Sequence, residues 1–334
     1  MRDLKPFFSV QPRFDESLGS YALRVSEANS GFTADALLRA GFSSSSRMSF
    51  DKAGYFAEFC RADPAAVVAL SGYWRKGSPT AECLIAGCWI PGRPHVVRAC
   101  SAVCPECLAE APYCRAEWEL ALYPCCPVHE LSLIDTCPRC GRPLGIRRPH
   151  VCRCSCGHDL RRSECGQPSQ NAVEVARALH VAFWGRNSRH AQASAGRIGS
   201  MCSGADTAAI PAQFWFLAVT LPALIANRPI RGQGMMSKRQ AMLAVEELAD
   251  ILSNWPEAFV ERLDYLFAAR TPAGVTAVES VFRVLWLRIV RLTLPRDELN
   301  MRGAFQSFIR SRRLRSGRMH SLRACLNQLE LPFE

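Results

Sequence analysis

Residues 104–157 read CPECLAEAPYCRAEWELALYPCCPVHELSLIDTCPRCGRPLGIRRPHVCRCSCG, and this stretch decides the fold. It is the centre of a cysteine-rich region in a chain that has 17 cysteines. A C-x-x-C turn points both of its sulfurs at one metal, and four such close pairs supply the ligands of two tetrahedral zinc ions. The stretch therefore predicts two zinc-finger or zinc-ribbon modules, with two zinc ions as cofactors.

The close pairs predict two ligand sets in chain order. The first set is Cys104, Cys107, Cys126 and His129, and the second set is Cys137, Cys140, Cys154 and Cys156. Two choices stay open, because Cys125 competes with Cys126 and Cys152 competes with Cys154. The C-P-x-H turn favours Cys126, since a proline directly follows the first ligand there, as it does in the two C-P-x-C turns.

Both predicted sets are of the structural kind. Catalytic zinc keeps three protein ligands and an open position for water, whereas three cysteines with one histidine, or four cysteines, close the tetrahedron. The zinc deaminase signature is also absent, because Glu130 follows His129 directly instead of standing two residues after it. No P-loop or nucleophile motif is found, so no catalytic or cofactor-binding residue is predicted.

Composition limits the class of protein. With 334 residues, 49% of them hydrophobic, the chain has room for two or three domains, and its net charge of +11 favours a polyanionic partner. The longest apolar run, Phe214–Ala226, is shorter than the roughly 20 residues that span a bilayer, and the N-terminus lacks an apolar signal core. We expect a cytoplasmic, nucleoid-associated protein without a membrane partner, and a reducing compartment favours zinc over disulfides.

The pattern predicts a mainly α, multidomain fold. Residues 1–82 form an N-terminal helical domain, 83–166 the double zinc-binding region, and 167–334 a C-terminal helical domain with a basic end. In the first domain, Asp15 caps a helix that ends near Asn29, and Ala34–Ala40 forms a second helix, so the pair has a helix-turn-helix-like outline. A further helix is predicted at Ala65–Leu70, with Asp63 as its cap. Other helices are predicted at Tyr113–Leu122, Ala172–Trp184, Lys238–Asn254, Val275–Leu292 and Gly303–Arg315.

Ordered motifs through the first half of the chain resemble the TniQ family. They are Phe14-Asp15-Glu16-Ser17-Leu18-Gly19-Ser20-Tyr21 with Arg24, C-P-x-C-L at 104–108, Trp118, C-P-x-H at 126–129, C-P-x-C-G at 137–141 and C-x-C-G-x-D-L at 154–160. The segment Leu252–Phe259 resembles the Trp-Pro helix start of longer members.

The resemblance implies a non-catalytic target-selection adaptor in DNA transposition, related to the target selector TnsD. Such a protein links target DNA, directly or through an RNA-guided Cascade complex with its guide RNA, to an AAA+ ATPase regulator and the transposase machinery. Members in CRISPR-associated transposons also dimerise, so a homodimer is among the implied partners. The alternative is a zinc-containing DNA-binding regulator outside transposition, and transposase and ATPase genes beside this one would favour the adaptor.

Charge is distributed unevenly along the C-terminal half. Residues 301–323 carry seven arginines and no acidic residue, and their predicted phosphate-binding members are Arg310, Arg312, Arg313, Arg315 and Arg318. A second basic cluster surrounds the second ligand set: Arg147, Arg148, Arg153, Arg161 and Arg162. Residues 246–264 are acidic and predict a protein-docking face, with Asp15–Arg24 and the zinc region as a second candidate surface for the ATPase.

Overall fold

The computed structural model of the chain is mainly helical. It describes residues 6–30, 33–34, 49–70, 72–73, 82–85, 87–91, 102–184, 198, 210–227, 238–271, 275–292 and 299–316. Within these ranges, strands are confined to two short antiparallel hairpins. The mainly α fold class is thus confirmed, and no described helix is long and apolar enough to cross a membrane.

The helices and strands occur in a simple order along the chain. The helices are α1 (Leu18–Ala28), α2 (Ala53–Cys60), α3 (Pro64–Val68), α4 (Pro105–Glu110), α5 (Gln170–Trp184), α6 (Ile210–Trp215), α7 (Leu221–Ile225), α8 (Lys238–Ser253), α9 (Glu257–Arg270), α10 (Val275–Leu292) and α11 (Met301–Ser316). The strands are β1 (Glu82–Ile85), β2 (Cys88–Pro91), β3 (Cys125–Cys126) and β4 (Leu131–Ser132). A π-helical turn, Phe216–Thr220, joins α6 to α7.

Of the two N-caps predicted in the N-terminal part, the structure has one. Asp63 caps α3 as predicted, since its carboxylate accepts hydrogen bonds from the amides of Ala65 and Ala66. Asp15 does not cap α1. Ser17 is the N-cap instead, and its hydroxyl accepts from the amide of Ser20. A serine directly before the first helical turn reaches that amide, whereas the Asp15 carboxylate is used elsewhere.

The helix-turn-helix interpretation needs a second helix directly after α1. The predicted helix Ala34–Ala40 lies outside the described residues, apart from Ala34 itself. The structure therefore describes only the first helix of that pair, and the helix-turn-helix-like outline stays a prediction.

The helix predicted at Tyr113–Leu122 is much shorter in the structure. Only Ala116–Glu119 is helical, as a 3-10 turn. The residues before it are held extended, because the amide of Ser17 donates to Cys114 O at 3.0 Å and the amide of Ala116 donates to Asp15 O at 2.8 Å. These bonds across the fold replace the local ones that a longer helix would need.

The C-terminal part is a set of helices packed through aromatic side chains. Its α9, α10 and α11 contact one another. The Phe282 ring of α10 stacks on Phe308 of α11 with 5.7 Å between centroids, and Trp286 stacks on Phe305 at 5.5 Å. All four side chains are buried. The basic helix α11 therefore has a buried apolar side, which fixes it to the rest of the protein.

We expect Phe308→Ala to loosen α11. Removing a buried phenylalanine from a packed core costs about 3–5 kcal/mol. Val284→Ala on α10 is the control, since Val284 is 45% exposed and a surface change costs within about 0.5 kcal/mol. Urea titration followed by circular dichroism measures both. Equal unfolding midpoints for the two variants would show that α11 is not held by this aromatic cluster.

Candidate metal centres

The first predicted ligand set comes together between α4 and the hairpin β3–β4. Cys104 occupies the N-cap position of α4 and Cys107 lies in its first turn. Cys126 ends β3, and His129 lies in the turn that leads to β4. The four ligand atoms all lie within 4.8 Å of one another. Helix start and hairpin turn thus face each other across one small site.

The distances in this first site match the edges of a zinc tetrahedron. Zn–S and Zn–N bonds of about 2.3 and 2.0 Å place two sulfurs about 3.8 Å apart, and sulfur about 3.5 Å from nitrogen. His129 Nδ1 lies 3.6 Å from the sulfur of Cys104, 3.3 Å from that of Cys107 and 3.5 Å from that of Cys126. The sulfurs of Cys107 and Cys126 are 3.6 Å apart. The residues present therefore fit a tetrahedral ion.

An outer carboxylate sets the orientation of His129. Its Nε2 lies 3.0 Å from Oε1 of Glu110, the last residue of α4. When Nε2–H donates to that carboxylate, the Nδ1 lone pair is left facing the three sulfurs, which is the tautomer that a metal ligand needs. Glu110 was not among the predicted site residues, and the signal for it was its position one helical turn after Cys107.

Cys126, and not Cys125, lies with the other three ligand atoms. Adjacent residues of a strand point to opposite faces, so only one of the two can face the site. Cys125 is buried on the other side, where burial and the nearby Cys126 raise the pKa of its thiol to about 12. Cys125 is thus a neutral packing residue.

The second predicted ligand set also comes together, in two tight turns. The sulfur of Cys137 lies 3.7 Å from that of Cys156, and the sulfur of Cys140 lies 3.7 Å from that of Cys154. All four sulfurs lie within 4.8 Å of one another, again close to the tetrahedral edge of about 3.8 Å.

Glycines close both turns of the second site. The amide of Gly141 donates to Cys137 O and that of Gly157 donates to Cys154 O, each at 2.9 Å. Gly141 has φ +70° and Gly157 has φ +84°, a conformation that side chains with a Cβ disfavour. Cys152 is not in the set. It lies half-buried, and burial raises the pKa of its thiol to about 11.

The two sites are connected through the fold. The 3-10 turn Leu160–Arg162, which follows the second site, packs on α4 of the first site. On the other side, α5 packs against β3, and Arg177 pairs with Glu130 at 3.2 Å. The first site is therefore held between the second module and the C-terminal helices.

Polar residues in and just before α1 and in the segment 113–115 form a partly buried hydrogen-bond network. Asp15 accepts hydrogen bonds from the Tyr113 hydroxyl and the Arg115 guanidinium, both at 2.7 Å. The amide of Cys114 donates to the Ser20 hydroxyl at 2.7 Å. These bonds attach α1 to the segment between Cys107 and Cys126. We call Asp15, Tyr113, Arg115, Ser20 and Cys114 the α1 lock.

Glu16 and Arg24 form an ion pair beside the same helix. The Glu16 side chain has no exposed area, pairs with Arg24 at 2.5 Å and accepts from the Ser20 hydroxyl at 2.7 Å. Burial raises the pKa of Glu16, and the Arg24 charge acts in the opposite direction. The carboxylates of Asp15 and Glu16 are thus both occupied by contacts within the protein.

Two further buried polar contacts were missed from sequence. Glu117 accepts from Trp184 Nε1 at 3.1 Å and lies 3.3 Å from His180 Nδ1, which joins the 3-10 turn Ala116–Glu119 to α5. Arg148, expected in the basic cluster, is buried instead. It donates to the carbonyls of His150 and Val151, and its NH2 lies 3.1 Å from Cys114 Sγ.

The predicted nucleic-acid arginines are described only in part. Arg310 is exposed on α11. Arg312, Arg313 and Arg315 lie on the same helix, with side chains outside the described residues, and Arg318 lies outside them entirely.

The fold and sites define a class: a helical protein with a segment that two closed Cys/His sites hold together. Residues 7–133, the N-terminal part of the chain, match the TniQ family model. The match includes the α1 lock and the first site and ends before the second site. The family implies a role in target selection during transposition. A comparison with curated proteins returns no match.

We expect the purified protein to contain two zinc ions, and Cys137→Ser to contain one. Without its metal, the segment 135–164 has few large apolar side chains to bury, so it should unfold locally and become sensitive to protease. Elemental analysis and limited proteolysis with mass spectrometry measure these two effects.

Cys152→Ser is the matched control, since it removes a nearby thiol that lies outside the ligand set. It should retain two zinc ions and the protease resistance of the natural chain. A Cys137→Ser variant that holds two zinc ions, or a Cys152→Ser variant that loses one, would contradict the second ligand set.

Proposed function

We propose that this protein is a non-catalytic target-selection adaptor in DNA transposition. It connects target DNA, directly or through an RNA-guided Cascade complex, to an AAA+ ATPase regulator and the transposase. The observation that carries the proposal is the TniQ match over residues 7–133, because the family is one of transposition adaptors. The α1 lock supports it, since two of its residues, Asp15 and Ser20, belong to the motif that gave the resemblance.

Zinc is the metal that we assign to both ligand sets. Thiolate sulfur and imidazole nitrogen at tetrahedral distances are the donors and geometry that structural zinc takes. Each set supplies four protein ligands, which leaves no position for a substrate or a water. The zinc ions would therefore hold the fold, in agreement with a non-catalytic adaptor.

We keep the three proposed domains, 1–82, 83–166 and 167–334, and add that the second and third contact each other. Because α5 packs on β3 and its His180 and Trp184 contact Glu117, a cut after residue 166 would uncover the first site. Function is therefore best tested with full-length variants and not with separated halves.

The basic helix α11 is the first surface that we assign to nucleic acid. Its apolar side is buried through Phe305 and Phe308, while Arg310 is exposed. A helix fixed by one side presents its remaining arginines at a constant position, and arginine forks pair with phosphate oxygens. Arg312, Arg313, Arg315 and Arg318 extend this surface along the chain.

Neutralising Arg310, Arg312, Arg313 and Arg315 together to glutamine should weaken DNA binding. It should also reduce the slope of log affinity against log salt, by about one for each lost phosphate contact. Fluorescence anisotropy with a labelled duplex measures the slope. A control of equal charge change is Arg13, Lys52, Arg61 and Arg283, all exposed, replaced by glutamine. Equal slopes for both variants would assign the α11 arginines to solvent.

The acidic helices α8 and α9 are the surface that we assign to the ATPase. Glu246 and Glu247 are used internally, by Ser169 and Asn171 and by Arg262 respectively. Asp250, Glu257 and Glu261 remain exposed on these helices, which also carry Tyr265 and Leu243, 53% and 64% exposed. Exposed apolar groups within a charged rim are typical of a protein interface. Glu16 and Ser20 are buried, and the partly buried Asp15 carboxylate is occupied by Tyr113 and Arg115, so this segment is a poorer candidate surface.

If an AAA+ ATPase gene lies beside the gene for this chain, we expect its product to be captured by the full-length protein in the presence of ATP. The variant Asp250→Asn, Glu257→Gln, Glu261→Gln should slow association, most at low salt, because charge complementarity acts mainly on the association rate. Biolayer interferometry measures the rate. The control Asp51→Asn, Glu58→Gln, Glu164→Gln removes as many exposed charges elsewhere.

If the natural chain fails to capture the ATPase with or without ATP, the adaptor loses its mechanism. The DNA-binding regulator outside transposition would then be the better account. If capture occurs and both variants behave alike, the adaptor stands and its ATPase contact lies on another surface.

A further inference from the structure

The second metal module, residues 135–164, carries a surface rich in arginine that the TniQ match does not reach. It has seven arginines and three carboxylates. A zinc ion held by four thiolates would add two negative charges, so the loaded module remains positive. Its exposed arginines are Arg139, Arg142, Arg147, Arg153, Arg161 and Arg162.

Some of the module's arginines have internal roles and cannot serve a ligand. Arg148 is buried and donates to backbone carbonyls. Arg161 forms a two-point pair with Asp159, with distances of 2.9 and 2.7 Å. Arg139, Arg142 and Arg153 are exposed side chains on the turns that carry the ligand cysteines. These three are the best placed to meet a partner.

The metal site brings these arginines together from two turns. Arg139 directly precedes Cys140, and Arg153 directly precedes Cys154. The sulfurs of Cys140 and Cys154 lie 3.7 Å apart, so the two arginines extend from neighbouring points of one closed site. Arg142 follows Gly141 in the same turn as Arg139. The fold thus brings arginines that are separated in sequence together on one small module.

The residue types of the module indicate which polyanion it fits. Residues 135–164 contain no Phe, Tyr or Trp. Proteins that bind single-stranded nucleic acid stack bases on aromatic side chains, and sequence-specific RNA recognition uses the same contacts. The two histidines of the module are used internally, His150 by Glu27 and His158 by Ser163. Arginine without Phe, Tyr or Trp suits the phosphate backbone of a duplex, where bases are already stacked and the charge density is high.

We propose that Arg139, Arg142 and Arg153 of the second metal module bind the phosphate backbone of double-stranded DNA, as a second surface beside α11. The inference rests on the proposed function in so far as DNA is a partner of the adaptor. It adds that the module beyond the TniQ match positions the protein on its target, without reading the bases.

The test compares the variant Arg139→Gln, Arg142→Gln, Arg153→Gln with the control Lys52→Gln, Arg61→Gln, Arg283→Gln, which loses the same charge from exposed positions elsewhere. Anisotropy of a labelled duplex is measured over a range of salt. We expect the module variant to bind at least about tenfold more weakly near physiological salt, with a slope reduced by about 2 to 3. The control should follow the natural chain.

A third variant distinguishes loss of charge from misfolding. Arg139→Lys, Arg142→Lys, Arg153→Lys keeps the charges, so its salt slope should stay close to that of the natural chain. Zinc content and the thermal transition of all variants are measured alongside. A glutamine variant with intact zinc and an unchanged slope would overturn the proposal, and so would an effect seen with single-stranded DNA or RNA but not with the duplex.

This assay contains no ATPase, which separates the two proposals. Failure of ATPase capture together with a reduced DNA slope would remove the adaptor and leave the DNA surface in place. Normal ATPase capture together with an unchanged salt slope of DNA binding would support the adaptor and remove the DNA surface on the second module.

Discussion

Closure of two four-ligand sites is the constraint on which the rest of this structure depends. The segment from Cys104 to Cys156 crosses the fold with little regular structure, and its shape is fixed where four sulfur-rich turns meet in pairs. Zinc binding contributes about 10–16 kcal/mol to the folding of small zinc-finger peptides, more than the net stability of many whole domains. A comparable contribution here would hold a segment that lacks a large apolar core of its own.

The α1 lock follows from that constraint. Residues 113–116 lie on the loop that the first site closes between Cys107 and Cys126, and they present Tyr113 and Arg115 to Asp15. If the first site did not hold a metal and this loop came apart, the partly buried Asp15 carboxylate would lose both of its partners. The polar residues Asp15, Glu16 and Ser20 thus make contacts that hold α1 in the fold. The surfaces assigned to partners lie on the second module and on the C-terminal helices.

The ligand sets and most helices could be predicted from local signals. The C-x-x-C spacing, the N-cap residues and the period of apolar residues all relate residues that are close in sequence. The contacts that escaped prediction join distant parts of the chain. Asp15 reads as a helix cap until Arg115, 100 residues away, takes its carboxylate. Glu117 and His180 are 63 residues apart. Arg148 reads as part of a surface basic cluster, yet packing against Cys114 buries it. Sequence spacing carries no information about such partners.

The most direct test of this account is X-ray absorption at the zinc edge of the purified natural chain. The two ligand sets contain seven cysteine sulfurs and one histidine nitrogen. We predict two zinc ions per chain with an average first shell of sulfur at about 2.3 Å and a minor nitrogen component at about 2.0 Å. A shell with a substantial share of oxygen, or an average near two sulfurs per zinc, would show open or differently composed sites and contradict the claim that these ions close the fold.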